Sequence, residues 1–196
     1  CQISSYDWCS KIKFPKSLKQ IEKITVIDPL KEKRIAKQIP LLCDISNDIS
    51  LQVQDQYENY PYPRWIKSAQ PFKQQTVNER IQEMKLSVFS TENYGIDSPK
   101  ILVAGCGTGQ HSIEVAQRFK NSEVFALDLS RVSLAYAKRK SEELELKNIS
   151  YMQADIMDLG NLKDKYDIIS CVGVLHHMKD PYRAWEILCN LLISGG

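Results

Sequence analysis

Hydrophobic positions along the chain fall into two regimes that change near residue 100. Ahead of it, apolar residues recur at helical spacing. Ile45, Ile49, Val53 and Tyr57 stand four apart. That step keeps side chains on one helix face, so a helix with a single apolar stripe is predicted over 44–58. Ile81, Met84, Leu86 and Phe89 predict a second helix over 77–89, with these side chains inward. A shorter helix is predicted over 29–38, with Asp28 as N-cap and Pro40 just past its end. From residue 100 onward, short apolar runs alternate with amphipathic segments. Strands are predicted over 101–104, 124–127, 149–153 and 167–172. Helices are predicted over 110–119, over 130–144 with Ser130 as N-cap, and over 180–192 with proline in the first turn. Strand and helix in alternation make a parallel sheet with helices on both faces, an α/β fold. Three segments result: 1–43, weakly structured or helical; 44–99, a helical arm; and 100–196, the α/β domain.

The first two strands enclose the most telling stretch. Ile101–Ala104 run into Gly105, Cys106, Gly107, Thr108 and Gly109, a turn with glycine at every second position. A helix follows, and the second apolar run ends in Asp128. Strand, glycine turn, helix, strand and acid form a nucleotide-binding βαβ unit. Glycine lets the backbone approach a ligand where a Cβ would collide, and the acid is placed to accept hydrogen bonds from ribose hydroxyls. Dinucleotide dehydrogenases use G-x-G-x-x-G/A, whereas Gln110 stands where that scheme wants a small residue. This disfavours a nicotinamide cofactor.

Two later segments narrow the reading: Tyr151 to Ile156, which contains Asp155, and Tyr166 to Met178, which contains Gly173, Val174, Leu175, His176 and His177. With these, residues 100–196 closely resemble the class I S-adenosylmethionine-dependent methyltransferases. The resemblance implies a Rossmann-like, doubly wound sheet of seven strands in the order 3-2-1-4-5-7-6, of which the first four are present here. The fourth would then have an unpaired edge. It implies S-adenosyl-L-methionine as cofactor, held by Gly105, Cys106, Gly107, Gly109, Gln110, Asp128, Leu129, Asp155, Ile156, Val172 and Val174. Asp128 matches the family's ribose acid and Asp155 its adenine acid, with Ile156 packing on the adenine or offering its N–H. Val103 departs from the family, which usually places an acid there to hold the methionine ammonium. Backbone carbonyls at Gly105 and at Cys171–Val172 would have to serve instead. Residues 56–65 are similar to a narrower subset often fused behind tetratricopeptide repeats, which implies such a region elsewhere in the full-length protein.

Methyl transfer needs alignment and desolvation more than side-chain chemistry, so the lack of a triad is no objection. His176 and His177 are the local candidates if an acceptor must lose a proton. Being adjacent, they point in different directions and make a poor metal pair, with no third ligand at suitable spacing, so no metal is expected. His111 reads as a packing or hydrogen-bonding residue. Prolines 61 and 63 force extended backbone and fix the rings of Tyr60, Tyr62 and Trp65. This segment either pins the arm to the domain or covers the cofactor as a lid or substrate wall, with Tyr62, Arg64 and Trp65 as contacts. Lys138, Arg139 and Lys140 with Glu142 and Glu143 read as a solvated helix face.

Composition adds bounds. The 196 residues are 43% hydrophobic and 26% charged, with a net charge of +2, which suits a globular domain and gives no basic footprint for nucleic acid. Six cysteines at 1, 9, 43, 106, 171 and 189 show neither C-x-x-C nor metal spacing and suit a reducing compartment. No apolar run approaches the roughly 20 residues of a membrane span, and no signal sequence opens the chain, so a cytoplasmic location without membrane contact is expected. The start at Cys1 and the end at Gly195–Gly196 suggest a fragment of a longer protein. The expected activity is methyl transfer to a small-molecule or protein acceptor. The alternatives are a non-catalytic methyltransferase-like module that binds a partner, and a nicotinamide-dependent dehydrogenase.

Overall fold

The computed structural model describes residues 3–59, 63–67, 73–86 and 96–196. Helix α1 (Lys19–Glu22) runs through a π turn at Lys23–Ile27 into α2 (Asp28–Ala36). Helices α3 (Asp48–Asn59) and α4 (Val77–Glu83) follow. Then come β1 (Lys100–Ala104), α5 (Gln110–Arg118), β2 (Glu123–Asp128), α6 (Arg131–Glu143), β3 (Ile149–Gln153), β4 (Ile168–Ser170) and α7 (Pro181–Asn190). The four strands form one parallel sheet in the order β3-β2-β1-β4.

Both faces of the sheet are covered, and the side-chain alternation along β1 shows how. Ile101 and Val103 join one core with Val124, Ala126, Leu134 and Ala135, while Leu102 and Ala104 join the other with Leu127, Ala184, Ile187 and Leu188. A strand buried on both faces must be apolar at every position, which is why β1 reads as a continuous hydrophobic run. Ahead of β4, Tyr166 donates its N–H to Leu191 O and accepts from Ile193 N–H, so residues after α7 return to this side of the sheet. This bridge lies two residues ahead of β4, which itself pairs with β1 and ends the sheet, as the expected unpaired edge requires.

The N-terminal segment and the arm differ from their predicted elements in instructive ways. The helix predicted over 44–58 starts at Asp48, because Asn47 Oδ1 accepts the Ile49 and Ser50 N–H groups and ends the preceding extended stretch. The helix predicted over 77–89 ends at Glu83; Lys85 takes φ 53° and Met84 and Leu86 face solvent rather than a core. Phe89 lies outside the described residues. Asp28 does not cap a helix, since the chain is already helical from Lys19. Its carboxylate instead meets Lys23 Nζ at 2.9 Å and Arg139 at 3.4 Å.

Arg139 is the largest correction. Its residue is only 3% exposed, whereas the charge pattern predicted a solvated face. Helix α2 packs across α6, and Glu32, also buried, meets Arg139 Nε at 2.8 Å. Glu143 closes the other side at 2.9 Å, and the guanidinium lies 5.0 Å from the centre of the Tyr136 ring. A charge pattern cannot distinguish a wet helix face from one whose partner carboxylates arrive from a hundred residues away.

Candidate functional site

At the carboxyl ends of the strands the chain leaves a cavity of about 470 Å³, within the size range of small-molecule sites. Its floor is the glycine turn. Gly105 and Cys106 both donate N–H to Leu127 O, at 2.8 and 2.9 Å, so the turn is stapled to the end of β2. Gly105, Gly107 and Gly109 all have positive φ, at 73°, 54° and 84°. Their roles differ. A Cβ on Gly105 would lie 2.2 Å from Val174 Cγ2, and one on Gly109 would lie 2.4 Å from Ala137 Cβ. A Cβ on Gly107 meets nothing within 4 Å. Gly107 therefore is the open point of the turn, while Gly109 lets α5 approach α6 and does not line the cavity.

Asp128 ends β2 and faces the cavity, half-buried. Its Oδ2 accepts the Gly107 N–H at 2.8 Å and its Oδ1 accepts the Ser130 N–H at 2.9 Å. Burial raises its pKa, opposed by the N–H groups of Ser130, Gly107 and Leu129. Each carboxylate oxygen has more than one acceptor position, so both keep capacity for a ligand hydroxyl. Ser130 caps α6 through its side chain, and Leu129 O accepts from Gln153 Nε2 at 2.7 Å.

Asp155 follows β3 and is buried; its Oδ1 accepts the Met157 N–H at 2.9 Å and so caps the short turn Ile156–Asn161. Ile156 packs beneath the cavity. Across the opening, Val172, Gly173, Val174 and His177 form the wall after β4. The structure thus brings Gly105, Cys106, Gly107, Gln110, Asp128, Leu129, Asp155, Ile156, Val172 and Val174 to one cavity. Val103 lines it too, without a carboxylate, and burial pushes the Cys106 thiol pKa well up, keeping it a neutral packing group. His177 lines the cavity and His176 does not, although their rings lie 3.9 Å apart. His111, at the rim, sits 2.8 Å from Ser170 Oγ, which ties the start of α5 to β4.

Of the proline-aromatic segment, Tyr62 lies outside the described residues. Arg64 turns away from the cavity to Glu32 at 3.2 Å. Trp65 is buried behind the glycine turn, where its ring meets Tyr136 edge-on. Neither Arg64 nor Trp65 lines the cavity. Pro63 of the same segment does line it, and the α3 region adds Asn47, Ile49, Ser50, Val53 and Tyr57. The four-residue stripe signalled this face in the sequence; what the stripe could not signal is that it borders a cavity rather than a packed core.

Comparisons with known proteins agree with this geometry. A family described as a methyltransferase domain matches residues 101–196. An uncharacterized protein of Synechococcus sp. is 37% identical over 99 residues, covering 50% of this chain and 24% of that protein. A ubiquinone biosynthesis O-methyltransferase of Acinetobacter baylyi is 26% identical over 118 residues, covering 60% of this chain and 49% of its own. The chain thus spans between about a quarter and a half of these curated relatives. Among solved structures, magnesium protoporphyrin IX methyltransferase of Synechocystis with bound SAM superposes with a TM-score of 0.53 at 23% identity, covering 76% of this chain and 74% of that one. Residues 101–196 therefore match the methyltransferase-domain family, and their parallel sheet has the Rossmann-like fold of the solved methyltransferase.

Proposed function

We propose that the cavity holds S-adenosylmethionine and that the protein transfers its methyl group to a small-molecule or protein acceptor. The observation that carries this is Asp128, a carboxylate fixed by two N–H donors beside a turn whose outermost residue, Gly107, is open. Asp128 would accept from the ribose hydroxyls. Asp155 and Ile156 would border the adenine. Gly105, Cys106, Gly107 and Gln110, with Leu129, Val172 and Val174, would enclose the rest, and backbone carbonyls at Gly105 and Cys171–Val172 would take the ammonium where Val103 leaves no acid. When bound, this cofactor supplies a methyl group already activated by its sulfonium charge. The chain's own task is then to align the acceptor and exclude water. For an acceptor that must lose a proton, His177 is the base candidate because it lines the cavity.

Cys9, Cys43, Cys106, Cys171 and Cys189 are free thiols, which supports a reducing, cytoplasmic setting as part of the same proposal. No helix among the described residues is long and apolar enough to cross a membrane. A tetratricopeptide-repeat region elsewhere in the full-length protein belongs to the proposal through the likeness of residues 56–65.

Calorimetry with S-adenosylmethionine tests the reading. Wild-type protein should bind, and Asp128→Ala should bind about 10- to 100-fold more weakly, the loss expected for charge-assisted hydrogen bonds. Equal affinities would refute the assignment. Binding without turnover on any small-molecule or protein acceptor would favour a non-catalytic module.

A further inference from the structure

Thr108, between Gly107 and Gly109, is held by the arm from both of its polar ends. Its Oγ1 donates to Pro63 O at 2.5 Å, and its own carbonyl accepts from Trp65 Nε1 at 3.0 Å. Both bonds go to one three-residue stretch. That stretch is itself fixed: Tyr136 OH donates to Trp65 O, Lys140 Nζ lies 4.9 Å from the Trp65 ring centre and donates to Ile66 O, and Arg64 pairs with Glu32. Thr108 is 2% exposed and its bond from Trp65 is buried, whereas Pro63 is itself exposed and its bond only partly shielded from water.

We propose that the Pro63–Trp65 stretch and Thr108 form a clamp that sets cofactor affinity, with Trp65 and Thr108 as positioning residues. This rests on the cofactor reading above. The physical case begins with the turn's freedom. Three glycines in five residues give it more unbound conformations than an ordinary loop, and ordering each residue costs free energy. The stapling of Gly105 and Cys106 to Leu127 O fixes the entry, and Asp128 holds Gly107. Gly109 donates its N–H to Cys106 O at 2.9 Å within the turn, and the bonds of Thr108 to Pro63 and Trp65 are the hold that comes from outside the α/β domain. Pre-ordering a binding loop raises affinity without adding any contact to the ligand. The clamp therefore acts on binding and not on the transfer step: S-adenosylmethionine and its demethylated product should feel its loss equally.

Two variants and a rescue test it. Thr108→Val removes the Oγ1 donor while keeping shape, and Trp65→Phe removes the indole N–H. Each should weaken S-adenosylmethionine about three- to tenfold, the range for one net hydrogen bond. Thr108→Ser should restore affinity. The double variant should lose less than the product of the two single losses, since either change opens the same clamp. Amide exchange in the free protein supplies a readout that a general packing defect would not give: Gly107 and Gly109 should exchange faster while β1 and β2 stay protected. Wild-type affinity in both variants overturns the clamp, as does exchange that rises across the whole sheet. Wild-type protein that fails to bind S-adenosylmethionine overturns the cofactor reading, and with it any effect of the clamp on affinity.

Discussion

Both oxygens of Asp128 accept a backbone N–H, so the side chain shapes the site as well as facing it. Burial lifts its pKa above the ordinary 3.8 of an aspartate. Two pH effects follow, of opposite sense. For the free fold, Asp128 retains a proton in the window above 3.8 where the unfolded chain has released it, so its contribution to stability is full below 3.8 and is lost as pH rises through the folded value. For binding, the ionised form is the acceptor. Cofactor affinity should therefore fall on mild acidification, beginning above the usual aspartate range. Asp128→Asn should bind more weakly and lose this acid limb; calorimetry over neutral to mildly acidic pH would show it, and an identical limb in the variant would assign the titration elsewhere. Asp128 was legible in the sequence because strand, turn and acid lie within a short stretch. The hold on Thr108 was not: Trp65 reaches it across 43 positions, and no local pattern encodes such a bond.

At the scale of elements, the glycine turn separates two demands that look alike in the sequence. Gly109 serves the contact between α5 and α6, whereas Gly107 serves the cavity. Gly109→Ala combines a left-handed residue with a Cβ 2.4 Å from Ala137 Cβ, and should destabilise the fold by about 3–5 kcal/mol. Gly107→Ala has open space and should cost about 1–2 kcal/mol of stability through its φ alone, while weakening the cofactor. Chemical denaturation paired with calorimetry separates them; a Gly107 variant as unstable as the Gly109 one would contradict the division. The strands and their flanking helices were legible because short apolar runs and N-caps are local signals. The arm helices were less so. The end of α4 is set by left-handed Lys85, and the start of α3 by the side chain of Asn47, neither of which a hydrophobic period records. The stripe Ile49, Val53 and Tyr57 was visible, but its destination depended on where α3 docks.

Over the whole molecule, the N-terminal segment and the α/β domain are joined by charge as well as by apolar contact. Arg139 of α6 is surrounded by Asp28 and Glu32 of α2 and by Glu143. Such a cluster adds little net stability over well-packed apolar groups, and without Arg139 the carboxylates would fall back on their second cations, Lys23 beside Asp28 and Glu143 and Arg64 beside Glu32. Arg139→Ala should therefore cost about 1–3 kcal/mol, more than a surface arginine, and Arg139→Lys should recover only part because an ammonium lacks the planar donor fork of the guanidinium. Urea unfolding would measure both; a loss within the range of an exposed ion pair would show that the site hydrates freely.

The burial of Trp65 also makes the docked arm visible to light. The chain has three tryptophans. Trp8 and Trp185 are 51% and 59% exposed and should emit like indole in water, whereas Trp65, at 8%, should supply the short-wavelength part of the emission. Replacing Trp8 and Trp185 by phenylalanine would leave a single fluorophore seated against the glycine turn. Its emission maximum would then follow the seating of the arm in real time, and a red shift on mild denaturation ahead of the loss of far-ultraviolet ellipticity would time the arm's release before the sheet unfolds.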